Sequence, residues 1–139
     1  MRIRLWAYGR IGRGAEADLV DRYLKRMAWD VTVTELREGT VFPWPDKNGS
    51  RIILCDERGQ VQDSKGFARL LGNWRDDGVR DVHLALGPAD GWSDADRQRA
   101  DLLLAFGPMT WPHLLARAML AEQIYRAESI LANHPYHRV

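Results

Sequence analysis

Cysteine is almost missing from this chain. Cys55 is the single thiol in 139 residues, which excludes an internal disulfide and any cysteine-based metal cluster and makes a reducing compartment the simpler expectation. A dominant charge is missing too. The 20 Lys+Arg against 19 Asp+Glu leave a formal +1, without the polyelectrolyte character of a protein that grips naked nucleic acid, so any such contact has to be local. Charges interrupt every apolar run before membrane-spanning length, and Met1 to Gly9 alternates instead of forming the apolar stretch of a signal peptide. The chain therefore reads as cytoplasmic, with no membrane partner. Metal-ligand spacing, a Walker lysine, a GxGxxG fingerprint and a nucleophile elbow are also lacking, so no metal is expected and Ser-His-Asp chemistry has no starting point.

What is present suits one domain, 1–139, with a real core. Ile3, Leu5 and Ala7 alternate with Arg2, Arg4 and Trp6 as an opening strand, which runs through a glycine-rich turn, Gly9 to Gly14, into a helix over Glu16 to Trp29. Val31 to Leu36 alternates as a second strand. Gly39 to Ser50 holds Pro43, Trp44, Pro45 and Asn48-Gly49, too many breakers for a regular element. Ile52 to Cys55 has the pattern of a buried strand that opens into a polar loop at Asp56-Glu57-Arg58-Gly59. Ser64 begins a helix, Val82 to Leu86 is another strand, Ser93 caps a helix through about Leu104, and a last helix runs from His113 to about Leu131 with Glu122 and Arg126 as an i,i+4 pair. Strands alternating with helices predict an α/β fold with a largely parallel sheet flanked by helices.

Such a sheet gathers three irregular segments at one edge, where ligand crevices form: Leu54 to Gly59, Gly87-Pro88-Ala89-Asp90-Gly91, and Gly107-Pro108-Met109-Thr110-Trp111-Pro112. Glycines admit close approach of a ligand, and Met109 or Trp111 offers an apolar wall for an adenine. Taken singly, each segment reads equally well as a plain turn. Cys55 is either an activated nucleophile or, at the end of an apolar strand, a small packed hydrophobe. The chain closes on Asn133-His134-Pro135-Tyr136-His137-Arg138, two imidazoles, a phenol and a guanidinium directly after a helix. Pro135 stops that helix and biases His134 toward an extended backbone, so the residues beyond form either a short stiff tail that stacks, donates and titrates or an ordinary frayed terminus.

The ordered set of segments decides between these readings. The opening strand through Gly9, Leu54-Cys55-Asp56-Glu57-Arg58-Gly59, Leu86-Gly87-Pro88-Ala89-Asp90-Gly91, Met109-Thr110-Trp111-Pro112-His113, and Tyr125-Arg126-Ala127 leading to the terminal hexapeptide resemble the RlmH family of bacterial 23S rRNA pseudouridine N3-methyltransferases, within the SPOUT class. The resemblance spans nearly the whole chain. It implies a C-terminal trefoil knot, which ordinary connection rules argue against, S-adenosylmethionine as cofactor, and a homodimer whose partner completes a site facing 23S rRNA in the assembled ribosome. Carried over by position, it implies cofactor contacts from Cys55, Gly87, Pro88 and Gly107 through Pro112. RNA contacts fall to His113, Arg117, Arg126 and His134, and catalytic roles to Tyr136, His137 and Arg138.

Two departures from the family pattern stand out. Pro88 replaces a second glycine, so a cofactor bond from that amide is lost while a carbonyl contact survives. Between Glu38 and Arg51 the chain is shorter by about one helix. The implied chemistry is transfer of a sulfonium methyl to an imide nitrogen held in line, with His137, His134, a carboxylate or water taking the imide proton. Another α/β enzyme using the same crevice for a small ligand, or a cofactor-inactive ribosome-binding module, is the alternative.

Overall fold

The alternating N-terminus becomes strand β1 (Arg2–Tyr8), whose Ile3, Leu5 and Ala7 point into the core. The computed structural model describes residues 1–138; Val139, the last residue of the tail, lies outside them. After β1 come α1 (Ala15–Arg26), β2 (Asp30–Leu36), β3 (Ser50–Val61), α2 (Ser64–Asp76), β4 (Asp81–Leu86), α3 (Asp94–Arg99), β5 (Leu102–Ala105) and α4 (His113–Leu131). The five strands form one sheet in the order β2-β1-β4-β3-β5, and every neighbouring pair is parallel. Their C-terminal ends therefore share one edge.

The period of two divides the strand residues between two different coverings. Ile3, Leu5, Ile53 and Leu84 face an aliphatic core completed by Leu71 of α2 and by Leu120 and Ile124 of α4. Ala118 and Ala121 of α4 meet Val20 of α1, so α4 lies against both other long helices. On the opposite face Tyr8, Ile52, Leu54 and Ala85 meet Phe42 and Trp92, and the irregular segment carrying Phe42 and Trp44 stands where a helix is expected in such folds. Trp44 donates its indole N–H to Asp96 of α3 at 3.1 Å and lies 4.7 Å beneath the Arg99 guanidinium, which fastens the segment down.

Four boundaries differ from the sequence expectation. Helix α1 ends at Arg26, because the N–H groups of Ala28 and Trp29 donate to the Glu128 carboxylate of α4 at 3.0 and 2.6 Å instead of continuing the helical ladder. Helix α3 stops at Arg99. Asp101 then binds Ile52 twice, through its own N–H at 2.9 Å and its carboxylate at 2.8 Å, and draws Leu102 to Ala105 alongside β3 as an edge strand. Asp56 to Gly59 is not a terminal loop but a bulge inside β3, since Leu104 is the register partner of both Cys55 and Gln60. Gly59 makes the bulge possible: a Cβ there would lie 2.6 Å from the Leu103 backbone.

At the end of α4 the chain turns through Asn133, in the left-handed region at φ 56°. The N–H groups of Asn133 and His134 donate to the carbonyls of Ile130 and Ser129 at 3.2 and 2.8 Å, a Schellman closure that fixes where the tail departs.

Candidate functional site

The shared sheet edge holds a cleft of about 200 Å³. Cys55 comes from β3, Gly87 from the turn after β4, Gly107, Met109, Thr110 and Trp111 from the loop after β5, and His113 from the first turn of α4. The three distant segments thus converge. Met109 and Trp111 are 74% and 40% exposed, so their apolar surfaces stand free at the rim. Glu57, on the β3 bulge, brings a carboxylate to the same wall. A flat apolar face, side-chain-free backbone and one acid suit a ligand with a planar ring and hydroxyls, as an adenosyl group has. The volume is below the roughly 300–1,000 Å³ of typical ligand sites, so part of such a ligand stays outside unless the exposed Gly107 to Trp111 loop moves over it.

The cleft's own polar groups are largely engaged. Burial pushes the Cys55 thiol up to about 12, with the Asp56 charge adding to it, so the residue is a neutral wall and not an activated nucleophile. Burial also pushes the Asp56 carboxyl up, but the Arg58 N–H at 2.8 Å and the Arg97 guanidinium at 2.5 Å together hold it below the usual aspartate range. Pro88, Pro108 and Pro112 do not line the cleft. The Pro88 carbonyl accepts from Gly91 N–H at 2.9 Å, so the position expected to keep a carbonyl contact already uses it to close its own turn. Pro112 instead precedes α4 as its N-cap.

His113 borders the cleft and holds the end of β1, its Nε2 donating to the Tyr8 carbonyl at 2.6 Å. Arg117 needs correction. One helical turn further on, it is 2% exposed, with its guanidinium on Glu35 at 2.5 Å and on the Gly9 carbonyl at 3.0 Å. The spacing suggests a surface position beside His113, but Arg117 is instead buried under the glycine-rich turn, which it anchors. Glu35 in turn accepts from Ile11 N–H at 2.8 Å. Partial burial pushes its carboxyl up, but that bond and Arg117 hold it below the glutamate range.

The tail lies elsewhere, folded back on α4. The Tyr136 ring stands 4.7 Å from that of Tyr125 and 4.8 Å from the Arg126 guanidinium, and its hydroxyl donates to Glu122 at 3.3 Å. Burial, a bond to Tyr23 and the Glu122 charge push the phenol up to about 12, so it stays protonated. Arg126 binds Glu122 at 2.7 Å and reaches His137 Nδ1 at 3.0 Å. Because a guanidinium only donates, Nδ1 of His137 accepts and Nε2 carries the proton. The same holds for His134, whose Nδ1 accepts from Tyr136 N–H at 3.2 Å. Each imidazole thus carries its N–H on Nε2. Arg138 is exposed and makes no ion pair among the described residues. At about 1.5 Å rise per residue, the tail cluster lies roughly 14–20 Å along α4 from His113.

A larger groove of about 660 Å³ runs beside this cluster, lined by Tyr23, Phe67, Phe106, Met119 and Glu122 together with Val61, which is 69% exposed. It shares Leu104 to Phe106 with the cleft. Among the described residues no helix is long and apolar enough to cross a membrane, and no group of three His, Cys, Asp or Glu could hold a metal ion.

Trp92, Phe42 and the strand β5 are parts of this site's surroundings that sequence reasoning missed. Their only signal is that aromatic and short apolar runs near glycine turns tend to be buried.

A family model described as "Predicted SPOUT methyltransferase" matches residues 1–137. Curated relatives named ribosomal RNA large subunit methyltransferase H include those of Rhizorhabdus wittichii, 56% identical over 99% of both chains, and Novosphingobium aromaticivorans, 57% identical over 99% of both. That of Sphingopyxis alaskensis is 52% identical, over 99% of this chain and 97% of its own. These relatives align over 138 to 140 residues, so the short chain length is common to them and not a private loss.

Proposed function

The chain belongs to the SPOUT methyltransferase family, and from that premise we propose that it is a single-domain enzyme over residues 1–139 that methylates N3 of a pseudouridine in 23S rRNA of the assembled large ribosomal subunit, with S-adenosylmethionine as donor. The observation that carries the reading is the cleft itself, where Gly87 and the Gly107 to Trp111 loop meet at the C-terminal edge of a parallel sheet. Bound there, S-adenosylmethionine supplies an electrophilic sulfonium methyl. Met109 and Trp111 would flank the adenine, backbone of the Gly107 to Thr110 loop would meet its polar edge, and Glu57 would receive a ribose hydroxyl.

The tail would act on the other reactant. Arg138, exposed and without an ion pair among the described residues, would offer its guanidinium to phosphate or a pyrimidine carbonyl, and the Nε2–H groups of His134 and His137 would donate to carbonyl oxygens flanking an imide nitrogen. Such donors stabilise the negative charge that develops when the imide N–H loses its proton. With both Nδ1 lone pairs engaged, the proton passes to water or a carboxylate unless the Arg126 contact opens. Arg126 and Tyr136 hold His137 in place.

Within one chain the residues that hold the tail, Glu122 and Arg126, sit roughly 14–20 Å along α4 from His113 at the cleft, a separation that favours a substrate shared between two copies. The apolar groove alongside both regions supports a homodimer in which one copy's tail serves the other's cleft. The same reading includes a C-terminal trefoil knot, supported by the return of the chain from edge strand β5 to α4 against both α1 and α2. The test is incubation of the protein and labelled S-adenosylmethionine with ribosomes from cells lacking the endogenous activity. Label at one large-subunit pseudouridine, abolished by Arg138→Ala, supports the proposal; no incorporation by the intact protein overturns it.

A further inference from the structure

Trp92 belongs to none of the segments above, yet its indole touches both walls where the cleft begins. The residue is 5% exposed. Its Nε1 donates to the Cys55 carbonyl at 3.0 Å, and a Cβ added to Gly87 would lie 2.9 Å from that same nitrogen. The ring stands edge-on to Phe42 and Tyr8, with centroids 5.4 and 6.1 Å away, so it cannot retreat. Cys55 and Leu86 are the last register pair of β3 and β4. Beyond them β3 enters its bulge and β4 its turn, and no ladder bond ties the two strand ends together.

Resting on the reading of this cleft as the methyl-donor site, we propose that Trp92 is a positioning residue for donor binding: acting through the Cys55 carbonyl and the bare backbone of Gly87, its buried indole fixes the spacing of the two cleft walls. The hydrogen bond turns the Cys55 carbonyl toward the indole, and the ring edge fills the space that a side chain at position 87 would take. Phenylalanine at this position keeps an aromatic ring against Phe42 and Tyr8 but removes the indole N–H from the Cys55 carbonyl and leaves the Gly87 turn unsupported.

The test is calorimetric titration of the full chain with S-adenosylmethionine and with S-adenosylhomocysteine. Trp92→Phe is expected to weaken both about 5–10-fold, the loss that follows from one buried carbonyl left without its partner, and to raise KM for the donor more than it lowers kcat. Trp6→Phe is the matched control. Trp6 also donates its indole N–H to a buried acceptor, His83 Nδ1 at 3.1 Å, in the same aromatic layer but away from the cleft, so it should lower Tm without moving donor Kd. Gly87→Ala should weaken binding by pressing on the indole, and in the Gly87→Ala/Trp92→Phe double variant the two losses should be less than additive because the smaller ring yields space. Donor Kd within twofold of wild type in Trp92→Phe, an equal loss in Trp6→Phe, or full additivity overturns the inference alone. Failure of the unaltered protein to bind either ligand overturns the donor-site reading and this inference with it.

Discussion

The cleft and the tail are built from opposite materials. The cleft is mostly backbone, glycine and apolar rim, and two of its polar groups are already engaged elsewhere: the Asp56 carboxylate with Arg97 and the Cys55 main-chain carbonyl with Trp92. The tail is almost entirely side-chain chemistry, cross-linked through Glu122, Arg126, Tyr136 and His137. A site made of backbone selects a ligand by shape, whereas a cluster of imidazoles and guanidinium stabilises charge. Under the proposed function the two regions divide the task, and changes in one should leave the other's property intact.

The largest effect should come from the tail. Arg138→Ala is expected to lower methyl transfer at least 100-fold, the scale of losing one transition-state donor, while calorimetry gives an unchanged donor affinity. Equal loss of donor binding would erase the division. Arg117→Met, which strands the Glu35 carboxylate and the Gly9 carbonyl, should cost about 3 kcal/mol of stability in urea denaturation, at the low end for buried pairs because Glu35 reaches solvent. A surface contact to RNA would show no such loss.

The smallest effect is expected at Cys55. Its thiol ionises near 8.5 when unfolded but only at about 12 in the fold. A raised pKa means that its contribution to stability is intact below about 8.5 and is lost as pH rises from there toward 12. Comparing denaturation of wild type and Cys55→Ala across pH 7–10 isolates this term from Tyr136, which shifts the same way. The native thiol should also resist a disulfide reagent at pH 8 (an operating condition on the order of half a unit below the free-thiol pKa), and rapid labelling would show that the wall is open.

Much of this was legible in the residues. The last helix starts at His113 and ends at Leu131, where the sequence puts it, and the three cleft segments meet at the sheet edge expected of a parallel fold. The rest was hidden for identifiable reasons. Leu102 to Ala105 is too short and too apolar to be told from the end of a helix, and only the double bond between Asp101 and Ile52 makes it a strand. Asp56 to Gly59 has loop composition because it is a bulge, and the strand resumes only because Gly59 can pass the Leu103 backbone. Arg117 reads as a surface cation until the Gly9 to Gly14 turn is seen to lie over it.

Subunit mixing asks whether one copy's tail completes the other copy's cleft. A cleft variant, Gly87→Val, and a tail variant, Arg138→Ala, should each be inactive on ribosomes. Co-folded in equal amounts, they should recover about one quarter of wild-type methylation, since half the dimers are mixed and each mixed dimer keeps one intact pairing of cleft and tail. Mixed dimers shown to form but remaining inactive would exclude a site shared between the two copies.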